Sequence, residues 1–294
     1  MNTTKYVFIG ISIVALLLLP TNVRSPFTIA YGQSSSCYNG LVMLSSSASI
    51  HVLPVILIHG YIEDASVWSK WERFLINNGI PYCTVTFQSD DSCGTAIDHA
   101  NELIQIVKKV KDFAQQHNIM SNQVNIVAHS KGGLDARVYL DQSGTHDVAN
   151  LIMIGTPNGG DVLADDMSSF AIFAFSDWEN FFCTPALYDL TTYADDISAQ
   201  ENIHTNYYTI YGDWNPSLPK INCPAVHSHR IDWLNLQQEF FLTFNEPNDG
   251  IVPASSVEKL PNYLHHTSLE PTHDCHTNLL SKPEFDIAKQ VLKP

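Results

Sequence analysis

Apolar residues fall along this chain in two patterns: short unbroken runs, and longer stretches where they recur every three or four positions. Val52-Leu53-Pro54-Val55-Ile56-Leu57-Ile58 and Leu151-Ile152-Met153-Ile154-Gly155 are nearly continuous, and Val124-Asn125-Ile126-Val127-Ala128 is a shorter run. Such runs suit strands buried on both faces of a parallel sheet. Pro81 to Phe87 and Tyr207-Tyr208-Thr209-Ile210-Tyr211 read as further strands. Trp68, Trp71, Phe74 and Leu75 have helical spacing, which predicts a helix from about Ser66 to Asn78 with Gly79 as its C-terminal cap. Thr95 to His117 is the clearest helix, with Ile97, Ile104, Val107 and Phe113 near helical spacing and Lys108, Lys109 and Lys111 toward its later turns. Another helix runs from the residues after Ser130 through about Asp141, and a last one closes the chain from about Pro283. Strands alternating with helices predict βαβ units, hence an α/β fold with a mostly parallel sheet flanked by helices.

The alternation fails from about Asn158 to Asn202, where Phe170, Ile172, Phe173, Phe175, Trp178, Phe181 and Phe182 cluster. A second irregular stretch carries prolines from Pro216 to Pro224. A cap or lid insertion within about 158–248 is expected. Its aromatic rings either meet lipid or acyl chains or form the cap's own small core.

Hydrophobic residues make up 45% of the 294 and charged residues 15%, which predicts a globular chain with a large core and excludes a disordered or collagen-like one. The net charge of -15 disfavours nucleic acid as a partner. At the N-terminus, Lys5 precedes the apolar run Tyr6 to Leu19, and Ala30-Tyr31-Gly32 offers a small-x-small pattern. These features predict a signal peptide over 1–32 and a secreted chain, with residues 33–294 as one domain. The alternative is an uncleaved N-terminal membrane anchor. Residues 33–50 read as a leader with little structure.

Cys37, Cys83, Cys93, Cys183, Cys223 and Cys275 all lie beyond the expected cut. An even count in an exported chain predicts disulfides. Local loop closure favours Cys83–Cys93 first and Cys183–Cys223 second. No CxxC pair is present, which argues against a structural zinc site, and no metal is assigned.

Three features carry chemistry. In Ala128-His129-Ser130-Lys131-Gly132-Gly133, Ser130 sits between a strand and a helix. A nucleophilic serine must project from such a tight turn, with small residues two before and two after it, and Ala128 and Gly132 fill those places. His59-Gly60-Tyr61 follows the first strand. The Tyr61 amide, together with that of Lys131, is a candidate oxyanion donor for acyl transfer. Serine chemistry also needs a histidine base and a carboxylate to orient it. Asp249 in Asn-Asp-Gly-Ile-Val-Pro and His276 in Asp-Cys-His-Thr-Asn-Leu-Leu follow in the order Ser, Asp, His. Asp213 is the rival acid, and His265, His266 and His273 are the rival bases. His129 is read as packed in the turn rather than as a base.

Together these segments resemble the α/β-hydrolases and, within them, the lipases. Pro54–Gly60, Ala128–Gly133, Ile154-Gly155-Thr156-Pro157, Asp249–Pro253 and His276–Leu280 look like lipase segments in the same order, from about Val52 to the C-terminus. Ala128 in the place of the usual first glycine is similar to the small bacterial lipases. Asp249-Gly250-Ile251-Val252-Pro253 looks more like the larger ones. The resemblance implies an α/β-hydrolase fold with Ser130 as nucleophile, His276 as base, Asp249 as its orienter, and Tyr61 and Lys131 as oxyanion donors. It implies a secreted hydrolase of carboxylic esters that needs no separate cofactor, acting on an acyl-ester or lipid substrate with transient lipid-interface contact through the cap. The same residues would serve an acyltransferase, a thioesterase or an amidase, and a catalytically silent binding protein is the reading from another class. Two departures stand out. Asn158 follows Gly-Thr-Pro where lipases often have His, and Asn278 occupies the place of a calcium-binding Asp, so calcium is not assigned.

Overall fold

The computed structural model describes residues 36–37, 52–116, 122–144, 146–173, 183–194, 199–214, 246–260 and 263–293. The expected signal peptide, Phe175, Trp178, Phe181, Phe182, the proline-containing stretch and Cys223 lie outside these residues. Among the described residues, one sheet is formed by β1 (Ser36–Cys37), β2 (Val55–Ile58), β3 (Tyr82–Thr86), β4 (Val124–His129), β5 (Val148–Ile154), β6 (Asn206–Ile210) and β7 (His266–Ser268), in the order β1-β3-β2-β4-β5-β6-β7. Every neighbouring pair is parallel except β1 with β3.

Among the described residues the α-helices are α1 (Ser69–Asn77), α2 (Ala96–Gln116), α3 (Lys131–Ser143), α4 (Val162–Phe173), α5 (Thr184–Tyr188), α6 (Ala254–Val257) and α7 (Lys282–Leu292). They cover both faces of the sheet, and the strands show why their sequences read as continuous apolar runs. Ile56, Ile58, Ile126, Ala128, Leu151 and Met153 pack into the layer that holds Leu103, Val107 and Leu140 of α2 and α3. Val55, Leu57, Val127, Ile152 and Ile154 point the other way, toward Trp71 and Leu75 of α1 and Phe285 and Ala288 of α7. Successive strand residues face opposite layers, and both layers are apolar.

The expected strands and helices appear with boundaries shifted by a few residues. The first helix begins as a 3-10 turn, Ala65–Trp68, because the Asp64 side chain accepts from the Ser66 amide and caps it. Gly79 follows α1 with φ +69°, the left-handed conformation of a helix-ending glycine. The stretch expected to be irregular contains α4 and α5. Leu163, Ala164 and Met167 give α4 an inward face too short to register as a periodic pattern.

Three further expectations are corrected. Ser36–Cys37 lie in the leader read as unstructured, yet they add an antiparallel edge to β3. Cys83 bonds to Cys37, not Cys93, and Cys183 bonds to Cys93, not Cys223. Sequence proximity was the wrong guide because Cys83 lies inside a strand, where its partner is the residue across the sheet edge. Cys275 is disulfide-bonded as well. Such bonds fit an extracellular protein. Among the described residues no helix is long and apolar enough to cross a membrane.

Register decides where the chemistry collects. Ile58 pairs with Ala128, and His129 pairs with Ile154. The residues that leave the C-terminal ends of three adjacent strands, His59-Gly60, Ser130 and Gly155, therefore emerge side by side.

Candidate active site

Ser130 is the one residue between β4 and α3. Its backbone takes φ 51° and ψ -128°, a conformation that costs a non-glycine residue about 1–3 kcal/mol. The turn is held by the Ser130 amide donating to the Ile154 carbonyl (2.9 Å) and by the Gly133 amide donating to the Ser130 carbonyl (3.1 Å). Gly132 must lack a side chain, since a Cβ there would stand 2.5 Å from the His59 carbonyl oxygen. That close approach presses the start of α3 against the end of β2. Lys131 is the first residue of α3, and first-turn amides have no intrahelical acceptor.

Asp249 and His276 come from the two loops that flank α6 and β7. Asp249 Oδ1 accepts from the amides of Ile251 (2.9 Å) and Val252 (2.7 Å), which fixes the carboxylate. Its Oδ2 is 2.7 Å from His276 Nδ1. A carboxylate can only accept, so Nδ1 carries the proton and Nε2 is the basic nitrogen. Gly155, with φ +59°, passes beneath the pair, and a Cβ there would lie 3.2 Å from both Asp249 Oδ2 and His276 Cε1.

Ser130, His276 and Tyr61 line one cleft. Its other walls are mainly apolar, with Leu163 and Met167 of α4, Leu187 of α5, Leu190, Ile251 and Val252. Asp161 also faces this cleft. Burial pushes its carboxyl up to about 8, and Asp249 and Asp165 add to the shift against the Leu163 amide that it accepts.

The rival residues go elsewhere. Asp213 follows β6, where its amide donates to the Thr272 carbonyl (2.6 Å). His265 pairs with Glu201 (2.8 Å), His266 Nε2 lies 2.9 Å from Thr209 Oγ1, and His273 lines a separate surface hollow. Asn158, in the place of the usual histidine, accepts from Arg137 and donates to the Val257 carbonyl.

A set of buried charges beside the cleft was not anticipated. The Lys131 ammonium lies 2.8 Å from Asp135 Oδ1 and 3.5 Å from Asp189 Oδ2. His99 is 2.7 Å from Asp135 and 3.3 Å from Asp90, and His59 is 3.2 Å from Asp90. Burial opposes the charge on His59, yet the bond to and charge of Asp90, the Gly60 carbonyl and the Glu63 charge together outweigh it and raise the imidazole to about 9. Burial, with a smaller push from the Asp135 charge, raises Asp189 to about 6 against the pull of Lys131 and the Ala96 amide. Glu63 is equally unforeseen. Lys131 and Asp135 stand four apart on one helix, but the other contacts run to other elements or across a loop, so nothing local in the sequence marks them.

A mostly parallel sheet with helices on both faces, and a single residue turning from a central strand into the next helix, form the arrangement of an α/β-hydrolase fold. Residues 54–263 match the model of the palmitoyl protein thioesterase family, and the chain belongs to that family. Among solved structures, the lipase BlEst2 of Bacillus licheniformis in its mature form superposes with a TM-score of 0.60 at 21% identity, covering 83% of this chain and 93% of that one. The propeptide form of the same lipase gives 0.61 at 19% identity, covering 88% of this chain and 53% of that one. Family and neighbours together make this a hydrolase of the lipase, esterase and thioesterase type.

Proposed function

We propose that this protein is a secreted serine hydrolase that cleaves acyl esters through an acyl-enzyme, with a lipase or esterase activity. The observation that carries the reading is His276, bonded behind to the buried Asp249, opening with Ser130 onto one apolar-walled cleft. Ser130 Oγ attacks the acyl carbonyl while His276 Nε2 takes its proton. The tetrahedral oxyanion is held by the amides of Tyr61 and Lys131. His276 returns the proton to the departing alcohol, and the acyl group stays on Ser130. Water, deprotonated by the same nitrogen, then releases the acid. Asp249 holds the imidazole in the required tautomer throughout. The apolar walls take the acyl chain.

A second reading, hydrolysis of thioesters, is favoured by the family, and it uses the same residues with a thiol in place of the alcohol. The disulfides support export, and cleavage after Gly32 is proposed with it. The test is hydrolysis of oxygen esters and thioesters matched in acyl length, with Ser130→Ala as control. Turnover lost in the mutant is expected, and the preferred leaving group chooses between the readings. Turnover retained in Ser130→Ala would sink both.

A further inference from the structure

One buried pair lies against the catalytic loops and takes no part in the proton transfers above. Glu63 Oε2 accepts from the Gly60 amide at 2.7 Å and from His129 Nδ1 at 2.9 Å. His129 Nε2 lies 3.1 Å from the main-chain carbonyl oxygen of His276. A carbonyl carries no proton. Nor does Glu63: burial works against its ionisation, but His129 and the Gly60 amide outweigh it and hold the carboxyl down at about 2. An imidazole between two pure acceptors satisfies both only as an imidazolium, with one N–H for each.

These bonds join three segments that are distant in sequence. Gly60 immediately precedes Tyr61, His129 immediately precedes Ser130, and the third anchor is His276 itself. His276 is thereby held by its carbonyl as well as by its amide, which donates to the Asp249 carbonyl at 2.9 Å. Gly60 is also gripped twice, since its carbonyl accepts from His59 Nδ1 at 3.1 Å. A buried ion pair is a poor source of stability compared with apolar packing. Its contacts here are with backbone atoms of the loops that must hold register around the nucleophile.

We propose that Glu63 and a cationic His129 form a positioning pair that ties the oxyanion loop to the loop of the general base, so that the Tyr61 amide and the His276 ring keep one spacing around Ser130. The proposal rests on the serine hydrolase reading above. The groups facing His129 are Glu63 from the loop after β2, Asp249 from the acid loop, and the His276 ring, whose centroid is 4.8 Å away. Glu63 in turn faces His276 and His59. Burial disfavours the His129 charge, and Glu63, the His276 carbonyl and Asp249 together more than offset it, so the folded imidazole titrates above its ordinary range. As pH rises through that value, His129 loses one of its two donors and the tie opens.

Two measurements test this. The first is imidazole nitrogen NMR on the full chain, with the His129 signals assigned by their absence in His129→Gln. Both nitrogens protonated at neutral pH is the expected result. A neutral His129 overturns the proposal, whether or not any ester is hydrolysed. The second is Glu63→Gln, which keeps the shape and one acceptor but removes the charge. It is expected to lower kcat by about ten-fold to a hundred-fold with little change in KM, since misplacing catalytic groups by an ångström has effects of that size. The alkaline limb of kcat should also move to lower pH. A purely structural role would shift Tm and leave that limb in place. Wild-type kcat and an unmoved limb overturn the proposal, and if Glu63→Gln does not fold, the NMR result on the unaltered chain decides. Absence of turnover in the unaltered chain would count against the hydrolase reading and leave the charge state of His129 to be read separately.

Discussion

His276 is held to Asp249 twice: its ring Nδ1 lies 2.7 Å from the carboxylate, and its amide donates to the Asp249 carbonyl at 2.9 Å. Side chain and backbone thus set both the tautomer and the height of the imidazole. The predicted consequence is that Asp249→Asn lowers kcat by about 10^4-fold, because an amide can donate to Nδ1 and select the wrong tautomer. Asp213→Asn should stay near wild type. Steady-state kinetics of the two variants checks this, and the reverse ranking would move the acid role to Asp213.

The Ser130 backbone predicts a stability effect separate from catalysis. Ser130→Gly should be more stable than Ser130→Ala by about 1–3 kcal/mol, since glycine accepts positive φ without strain. Urea unfolding of the two inactive variants measures the difference. Equal midpoints would mean that the elbow is not strained.

Disulfide reduction should weaken the fold. The Cys37–Cys83 and Cys93–Cys183 bonds close loops with sequence separations of 46 and 90, contributing about 4 and about 4.6 kcal/mol respectively by the chain-entropy account. The second joins the turn before α2 to the segment that begins α5, which supplies Leu187 and Leu190 to the cleft. Cys93→Ser with Cys183→Ser should therefore lower Tm and impair turnover, whereas removing the Cys37–Cys83 bond should lower Tm alone. Comparing Tm with kcat/KM in the two double variants separates the effects.

Asp161 gives a pH dependence with a definite sign. Its folded carboxyl is raised to about 8 from an ordinary value near 4, chiefly by burial. The unfolded chain therefore releases its proton first as pH rises. The stability associated with the protonated form is complete below about pH 4 and is lost progressively up to about pH 8. Asp161→Asn retains an acceptor for the Leu163 amide and cannot ionise. It should lose less stability than wild type over that interval, as read by Tm against pH. Parallel curves would show that Asp161 does not titrate in this way.

The strands Val55–Ile58, Val124–His129 and Val148–Ile154 were legible from sequence because residues facing either helical layer are apolar, so burial on both sides leaves an unbroken run. The helix α2 was legible because it is half exposed and shows the boundary between oil and water every turn. The serine elbow was legible for a local reason too, since a one-residue turn demands small neighbours at fixed offsets, and Ala128 and Gly132 stand there. The choice of Asp249 over Asp213 rested on resemblance, and the contact that supports it spans two loops. Disulfide pairing, the approach of His99 to the Lys131–Asp135 pair and the Glu63–His129 pair were invisible, because each depends on which elements lie side by side. Alternating burial and turn chemistry are properties of neighbouring residues, and the chain spells them out directly. Register across the sheet is a property of the whole packed molecule, and that register brings His129 within hydrogen-bond reach of both Glu63 and the His276 carbonyl.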